Sequence, residues 1–165
     1  MNIKRIVRHL LLTEWTVNRA FPRQILIAIE QAIQASETAH IGEIRFVVEG
    51  ALDGAPLFRG QSARERAIDV FSQLRIWDTE HNNGVLIYLL LADRDVEIVA
   101  DRGIHAKVGA QEWEEICRMM EGAFKQANYE EGVVSGIRTV TQHLIRYFPA
   151  SDGDRNELLD KPVVL

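Results

Sequence analysis

The stretch NNGVLIYLLL (residues 82–91) decides the fold of this chain. Its first three residues, Asn82-Asn83-Gly84, are typical of a turn, and the run that follows is apolar without alternation. A run of this kind predicts a central strand that is covered on both faces. Apolar and charged residues alternate between Val96 and Asp101, which predicts a half-exposed strand paired with the first as an antiparallel hairpin.

The remaining sequence predicts one strand before this hairpin and helices on both sides of it. Gly42 precedes EIRFVVE (residues 43–49), whose β-branched content is typical of a strand. Ser62 and Glu65 form a capping-box pattern, which predicts the start of a helix between the first two strands. Apolar residues at helical spacing predict the other helices, over residues 3–12, 22–37, 113–124 and 129–148.

This order of elements predicts an α/β fold. A strand–helix–strand unit needs a right-handed crossover, so its two strands run parallel, and the hairpin adds a third, antiparallel strand. We therefore expect a small mixed β-sheet sandwiched between helices and preceded by two N-terminal helices. The expected organisation is an N-terminal helical extension (1–38), an α/β domain (39–149) and a flexible tail (150–165).

Length and composition are those of an ordinary globular domain. The chain has 165 residues and a net charge of −5, which argues against nucleic acid as a partner. The single cysteine, Cys117, cannot form an internal disulfide. The basic N-terminus leads into an apolar run that Glu14 interrupts, so we expect no signal peptide. The longest apolar run, residues 85–92, is too short to span a bilayer, and a cytoplasmic protein is expected.

Several motifs together resemble those of the TPM-domain family. They are NNGVLIYLLL (82–91), DRDVEI (93–98), RGI (102–104), NYEEGV (128–133) and GEI (42–44). The resemblance implies a compact α/β sandwich. It also implies divided roles, with acid phosphatase activity and calcium binding in some members and maintenance of photosystems or respiratory complexes in others. Because we expect no signal peptide, membrane anchor or Gly-rich tail, this chain is most similar to the short cytoplasmic branch.

Oxygen-bearing side chains are expected to gather at one edge of the sheet. If the first two strands are parallel, Glu43 and the turn at residues 82–84 share an edge, to which the hairpin returns Asp101. Calcium and magnesium prefer carboxylate and amide oxygens, so either ion is an expected cofactor. The candidate metal ligands are Glu43, Asp78, Asn82, Asn83 and Asp101. The alternative is that these residues only cap loops and form the turn.

The opposite edge carries a second acidic group, made of Glu49, Asp53, Asp93 and Asp95. Ligands of open α/β sheets favour the carboxyl ends of parallel strands, which is this edge. We favour the first edge because most of the family-like residues, among them Glu43 and Gly103, fall there. Asp93 and Asp95 are expected to form a solvated hairpin turn.

The sequence contains no complete set of residues for phosphate chemistry. It has no P-loop pattern and no Cys-x5-Arg motif, and Cys117 lies in an apolar helix stripe, where a core residue is expected. His81 and His105 are expected near the first edge, either as a general acid or as exposed loop residues. DGDRN (152–156) resembles the start of an EF-hand, but the glycine and glutamate that the motif needs are missing.

The basic N-terminal segment is a candidate docking element. Trp15, Arg5 and Arg8 are the candidate binding residues, and a basic amphipathic helix within residues 1–20 fits an anionic membrane surface or a partner. The alternative is a helix packed on the domain with its arginines exposed. The sequence thus predicts an interaction or maintenance module with a membrane-associated protein partner. Calcium binding and metal-dependent acid phosphatase activity are the alternatives, and whether the protein is an enzyme stays open.

Overall fold

The computed structural model describes residues 2–165 and forms a mixed α/β fold, as predicted. The elements are α1 (Ile3–Leu11), α2 (Glu14–Ala20), α3 (Arg23–Glu37), β1 (Glu43–Glu49), α4 (Gly54–Phe58), α5 (Ala63–Gln73), β2 (Gly84–Leu90), β3 (Asp95–Ala100), α6 (Arg102–Val108), α7 (Ala110–Lys125), α8 (Tyr129–Tyr147) and β4 (Val163–Val164). The elements that the sequence did not predict are α2, α4, α6 and β4. Each is too short to show a periodic pattern.

The four strands form one sheet in the order β3-β2-β1-β4. β1 and β2 run parallel, with Glu43 opposite Gly84 and Glu49 opposite Leu90. β2 and β3 are antiparallel, with Val85 opposite Ala100. The predicted crossover and hairpin are therefore confirmed. Every residue of β2 is buried, which explains why its sequence is apolar without alternation.

Helices cover both faces of this sheet. Alternate side chains of β2 point to opposite faces, so Val85 and Ile87 pack with α3, α7 and α8, while Leu86 and Tyr88 pack with α5. Ser62 caps α5 with the predicted capping box. The sheet is thus the middle layer of a sandwich.

The C-terminal segment, for which a flexible tail is predicted, ends in a short strand on the sheet. Val163 and Val164 pair parallel with Val47 and Val48 of β1. The backbone N–H of Leu165 donates to the Val48 oxygen at 2.9 Å, and the N–H of Gly50 donates to the Leu165 oxygen at 3.1 Å. Only a few apolar residues follow a long polar loop, so the sequence signal for this strand is weak. Their pairing gives the otherwise open edge of β1 a partner.

The N-terminal region forms three helices where two were predicted. The first predicted helix ends at Leu11, and a new helix, α2, begins at Glu14 after the N-cap residue Thr13. α3 packs against α8 and β1, while α1 contacts α4. The division at residue 38 stays a prediction about domain boundaries; spatially, α3 is part of the layer that covers the sheet.

Candidate functional site

The first edge of the sheet brings together three of the five predicted metal ligands. Glu43 begins β1 directly opposite Gly84, and its backbone N–H lies 3.4 Å from the Asn83 oxygen. Asp101 follows β3, and its N–H donates to the Gly84 oxygen at 2.9 Å. The parallel pairing and the hairpin therefore place Glu43, Asn83 and Asp101 at one edge.

Glu43 is occupied by the C-terminal segment. Its side chain is buried, and its two carboxylate oxygens accept from the backbone N–H groups of Glu157 at 2.8 Å and Leu158 at 3.3 Å. Burial raises the pKa of Glu43 to about 7. Both oxygens of this carboxyl therefore have a donor, and the contacts attach residues 157–158 to the start of β1.

Two further acidic residues, Glu37 and Asp160, lie close to Glu43, and no sequence pattern predicts this grouping. The Asn156 side-chain amide donates to Glu37 at 3.2 Å and to Asp160 at 2.8 Å. Burial raises the pKa of Glu37 to about 9, with smaller contributions from the charges of Glu43 and Asp160. Asn156 and Asp160 lie more than 100 residues from Glu37 and Glu43 in the chain, so only the structure brings the two segments into contact.

Asn83 and Asp101 each present a buried oxygen without a hydrogen-bond partner among residues 2–165. Asn83 is fully buried, and its amide nitrogen donates to the Ile41 oxygen at 3.1 Å, which leaves its Oδ1 free. One oxygen of Asp101 caps α6 by accepting from the Arg102 N–H at 2.7 Å, and the other has no donor in the described chain. Such oxygens are the ligands that hard cations prefer.

Asp78 and Asn82 have structural roles at the rim of this edge. Asp78 is exposed and accepts from Arg75 at 2.8 Å. Asn82 has a φ of 51°, in the left-handed region that turns use. Its backbone carbonyl oxygen accepts from the Ile104 N–H at 3.3 Å. Within the described residues, no three His, Cys, Asp or Glu side chains are arranged to hold a metal together.

Cys117 is a core residue, and the two candidate histidines lie on the surface. Cys117 is buried, and burial raises the pKa of its thiol to about 12, so it is not a thiolate nucleophile. His81 and His105 are exposed, as the plainer interpretation of the sequence expected.

At the opposite edge, Glu49 is closed off by its neighbours. Arg66 donates to its two oxygens at 2.8 and 3.0 Å, and the Tyr88 hydroxyl donates at 2.6 Å. Burial, followed by the hydrogen bond to Glu49, raises the pKa of Tyr88, so the hydroxyl stays protonated. This buried group is fully satisfied, and Asp53 lies outside it on the surface.

Asp93 attaches α1 to the domain. Its carboxylate accepts from Arg5 Nε at 2.8 Å and lies 3.1 Å from Nε2 of the buried His9. Arg5 also donates to the Gln61 oxygen at 2.8 Å, and His9 Nδ1 accepts from the Leu52 N–H at 2.9 Å. The hairpin turn that was expected to be solvated is therefore a polar anchor for a helix.

This anchoring turns the apolar side of α1 outward. Ile3, Val7, Leu10 and Leu11 occupy one face at helical spacing, and 47–73% of each residue is exposed. We call these four residues the outward apolar face. Trp15 of α2 is exposed as well, and the Arg19 guanidinium lies 5.3 Å from its ring centroid. Of the predicted binding residues, Trp15 and Arg8 thus reach solvent, whereas Arg5 faces the domain.

Comparisons with known proteins agree with this architecture. The family model of the TPM domain matches residues 20–143. The NMR structure of the BA42 protein from the psychrophilic bacterium Bizionia argentinensis is 32% identical, with a TM-score of 0.74 over 86% of this chain and 93% of that one. The N-terminal domain of a P. gingivalis protein shares the fold at 20% identity, with a TM-score of 0.58 over 73% of this chain and 76% of that one.

The comparison with curated proteins found no match. Among residues 2–165, no helix is long and apolar enough to cross a bilayer. The family match extends over most of the chain and includes β1, β2 and β3, with the hairpin and the edge that carries Asn83 and Asp101. The chain belongs to the TPM-domain family.

Proposed function

We propose that this protein is an interaction module that docks on an anionic membrane surface through α1, where it meets a membrane-associated protein partner. The observation that carries the proposal is the orientation of α1. Arg5 and His9 point into the domain, and the outward apolar face points to solvent. A helix that served only to complete the core would bury its apolar face instead.

Charge favours a membrane as the occupant of this face. Lys4 and Arg8 are exposed on the same helix, and residues 1–23 carry five Lys or Arg and one Glu, a net charge of +4 in a chain whose total is −5. A basic helix that lays apolar side chains into the headgroup region is a common mode of surface attachment. The cytoplasmic leaflet is anionic, which agrees with the proposed cytoplasmic location.

Vesicle sedimentation tests this proposal. Full burial of one leucine contributes about 1.5–3 kcal/mol, so replacing both Leu10 and Leu11 with Glu should weaken binding by about a hundredfold or more. We expect the wild-type chain to sediment with phosphatidylserine-containing vesicles and the L10E/L11E variant to stay in solution. Leu159→Glu is the matched control, since Leu159 is 75% exposed at a distant surface position.

Two outcomes would contradict membrane docking. One is equal sedimentation of the wild type and the L10E/L11E variant. The other is dimerisation in the absence of vesicles that the same variant abolishes, which would assign the outward apolar face to a second copy of the chain.

A second candidate function is calcium or magnesium binding at the first sheet edge, with metal-dependent acid phosphatase activity as its enzymatic form. The partnerless oxygens of Asn83 and Asp101 support it. Glu43 and Asp78 are already engaged, so water would complete the coordination, as magnesium commonly requires. A bound ion would supply the Lewis acid or hydroxide that hydrolysis of a phosphate ester needs.

Titration calorimetry with calcium and with magnesium tests this second function. We expect heat with the wild type, loss of heat in Asp101→Asn, and no change in Asp53→Asn, a control at an exposed position. Hydrolysis of p-nitrophenyl phosphate that requires metal and fails in Asp101→Asn would support the phosphatase. The absence of both binding heat and thermal stabilisation at millimolar metal would refute both the metal-binding and the phosphatase proposals.

A further inference from the structure

A cavity of about 390 Å³ lies between α1 and α4. One wall is formed by Asn2, Arg5 and Ile6, and the other by residues 57–60. The cavity therefore lies beside α1, the helix whose outward apolar face carries the proposed membrane contact. Cavities of this volume are typical of sites for small organic groups, and a lipid headgroup is of this size.

Asn2 and Arg5 offer hydrogen-bond donors to this cavity. Asn2 caps α1, and its Oδ1 accepts from the Arg5 N–H at 3.3 Å, so its amide nitrogen keeps both hydrogens free. Arg5 donates from Nε to Asp93 and from Nη2 to the Gln61 oxygen, both at 2.8 Å, which leaves the Nη1 hydrogens free. These two contacts also hold the Arg5 guanidinium in place.

Arg59 brings a positive charge that lacks an ion-pair partner in the described chain. The residue is exposed, and its side chain forms neither a hydrogen bond nor an ion pair within residues 2–165. Glu65 lines the neighbouring surface depression together with Arg59, but its Oε2 accepts from the Ser62 N–H at 2.8 Å and from the Ser62 hydroxyl at 2.9 Å. The Arg59 guanidinium is thus free to bind an anion over the cavity.

The charge of Arg5 is only partly neutralised. Asp93, which contacts Arg5, also lies 3.6 Å from Arg8, so one carboxylate is shared between two guanidiniums. Asp95 adds a second negative charge that interacts with Arg5. Neither aspartate lines the cavity, and no Asp or Glu does so among the described residues. Arg59 therefore leaves the cavity with an excess of positive charge.

Apolar side chains indicate what kind of anion fits. Phe58 is 55% exposed, and it lines the cavity together with Ile6 and Leu57. A ligand with an anionic group at one end and an apolar body at the other matches these walls, as a phospholipid does. A phosphomonoester has three terminal oxygens that accept from donors, and guanidinium groups bind such oxygens in pairs. A phosphodiester has fewer such oxygens and less charge.

We propose that this cavity binds the phosphomonoester headgroup of a phosphatidate-type lipid, with the phosphate oxygens accepting from Asn2, Arg5 and Arg59. Phe58 then lies at the boundary between the headgroup and the acyl chains. This inference rests on the proposed membrane docking and deepens it, because it names the lipid that the docked surface selects.

Vesicle binding of the full chain at matched surface charge tests the proposal. One set of vesicles contains phosphatidate and the other phosphatidylserine, at contents that give equal zeta potentials. We expect the wild type to prefer phosphatidate by about tenfold, the factor that a charge-assisted hydrogen bond supplies. Arg59→Gln should remove this preference and keep binding to phosphatidylserine vesicles. Arg138→Gln is the matched control, since it makes the same change at an exposed position of α8 and should keep the preference.

Equal binding of the wild type to both kinds of vesicle would overturn the headgroup site and leave membrane docking in place. A preference that Arg59→Gln retains would overturn it as well.

Glycerol 3-phosphate without vesicles separates the failure of the site from the failure of docking. It should shift the amide NMR signals of residues 57–60 in the wild type and leave those of Arg59→Gln unchanged. Such shifts in a chain that binds neither kind of vesicle would assign the cavity to a soluble phosphomonoester, which overturns the lipid as its ligand. Absence of both the shifts and the vesicle preference would overturn the anion site itself.

Discussion

At the scale of single residues, the buried carboxyls Glu37 and Glu43 connect pH to the attachment of the C-terminal segment. Glu43 binds the backbone of residues 157–158, and Glu37 meets Asp160 through Asn156. The pKa values of Glu37 and Glu43 are raised to about 9 and about 7, from an ordinary 4.5. At neutral pH, Glu37 is therefore protonated in the folded protein and ionised in the unfolded chain.

The first prediction concerns stability against pH. A carboxyl whose pKa is raised in the folded state binds more protons there than in the unfolded chain. Its contribution to the free energy of unfolding is therefore fully present below pH 4.5 and is lost as pH rises through the folded pKa. Urea unfolding should show stability falling between pH 7 and pH 9, mainly through Glu37. Glu37→Gln should flatten this decline, and Glu14→Gln, at an exposed position, should not. Identical slopes in both variants would contradict the account.

Sequence patterns could predict which residues share an edge, but not which of them are free to bind. Glu43, Asn83 and Asp101 share an edge because β1 pairs with β2 and β2 forms a hairpin with β3. The order and direction of the strands are therefore enough to predict this grouping. The occupation of Glu43 depends on a segment more than 110 residues away. No local pattern encodes such a contact, and for that reason Glu37 and Asp160 were missed.

At the scale of elements, α1 is held by polar contacts at a few points and by Ile6, which packs against the core. Arg5 and His9 meet Asp93, Gln61 and Leu52. A helical pattern with one apolar face normally predicts that this face is buried, so the sequence could locate α1 but not its inverted orientation. The deciding residue, Asp93, lies in a turn whose composition is typical of solvated loops.

The second prediction is that Asp93→Ala releases α1 while the domain stays folded. A charge-assisted hydrogen bond contributes about 1.5–3 kcal/mol, so amide exchange in α1 should accelerate by about tenfold or more. Exchange in β1 and β2 should remain slow, since their core contacts do not involve Asp93. Unchanged protection of α1 would show that contacts other than those of Asp93 hold the helix.

At the scale of the whole molecule, the sandwich separates three surfaces. The first sheet edge carries the partnerless oxygens of Asn83 and Asp101, and α1 carries the outward apolar face. The β3 edge carries a cleft lined in part by Asp95, Glu97 and Glu121. The apolar run of β2 and the crossover made this sandwich predictable. The three surfaces were harder to predict from the sequence, because each depends on side chains that several distant elements bring together.

The third prediction is the most direct test of the central claim, that the outward apolar face of α1 enters the membrane surface. A spin label at Leu10→Cys should become accessible to oxygen and protected from a water-soluble nickel complex when phosphatidylserine-containing vesicles are added. Cys117 is buried and should not react. A label at Leu159→Cys should stay in water. Equal and aqueous accessibility at both positions, with vesicles present, would contradict the account.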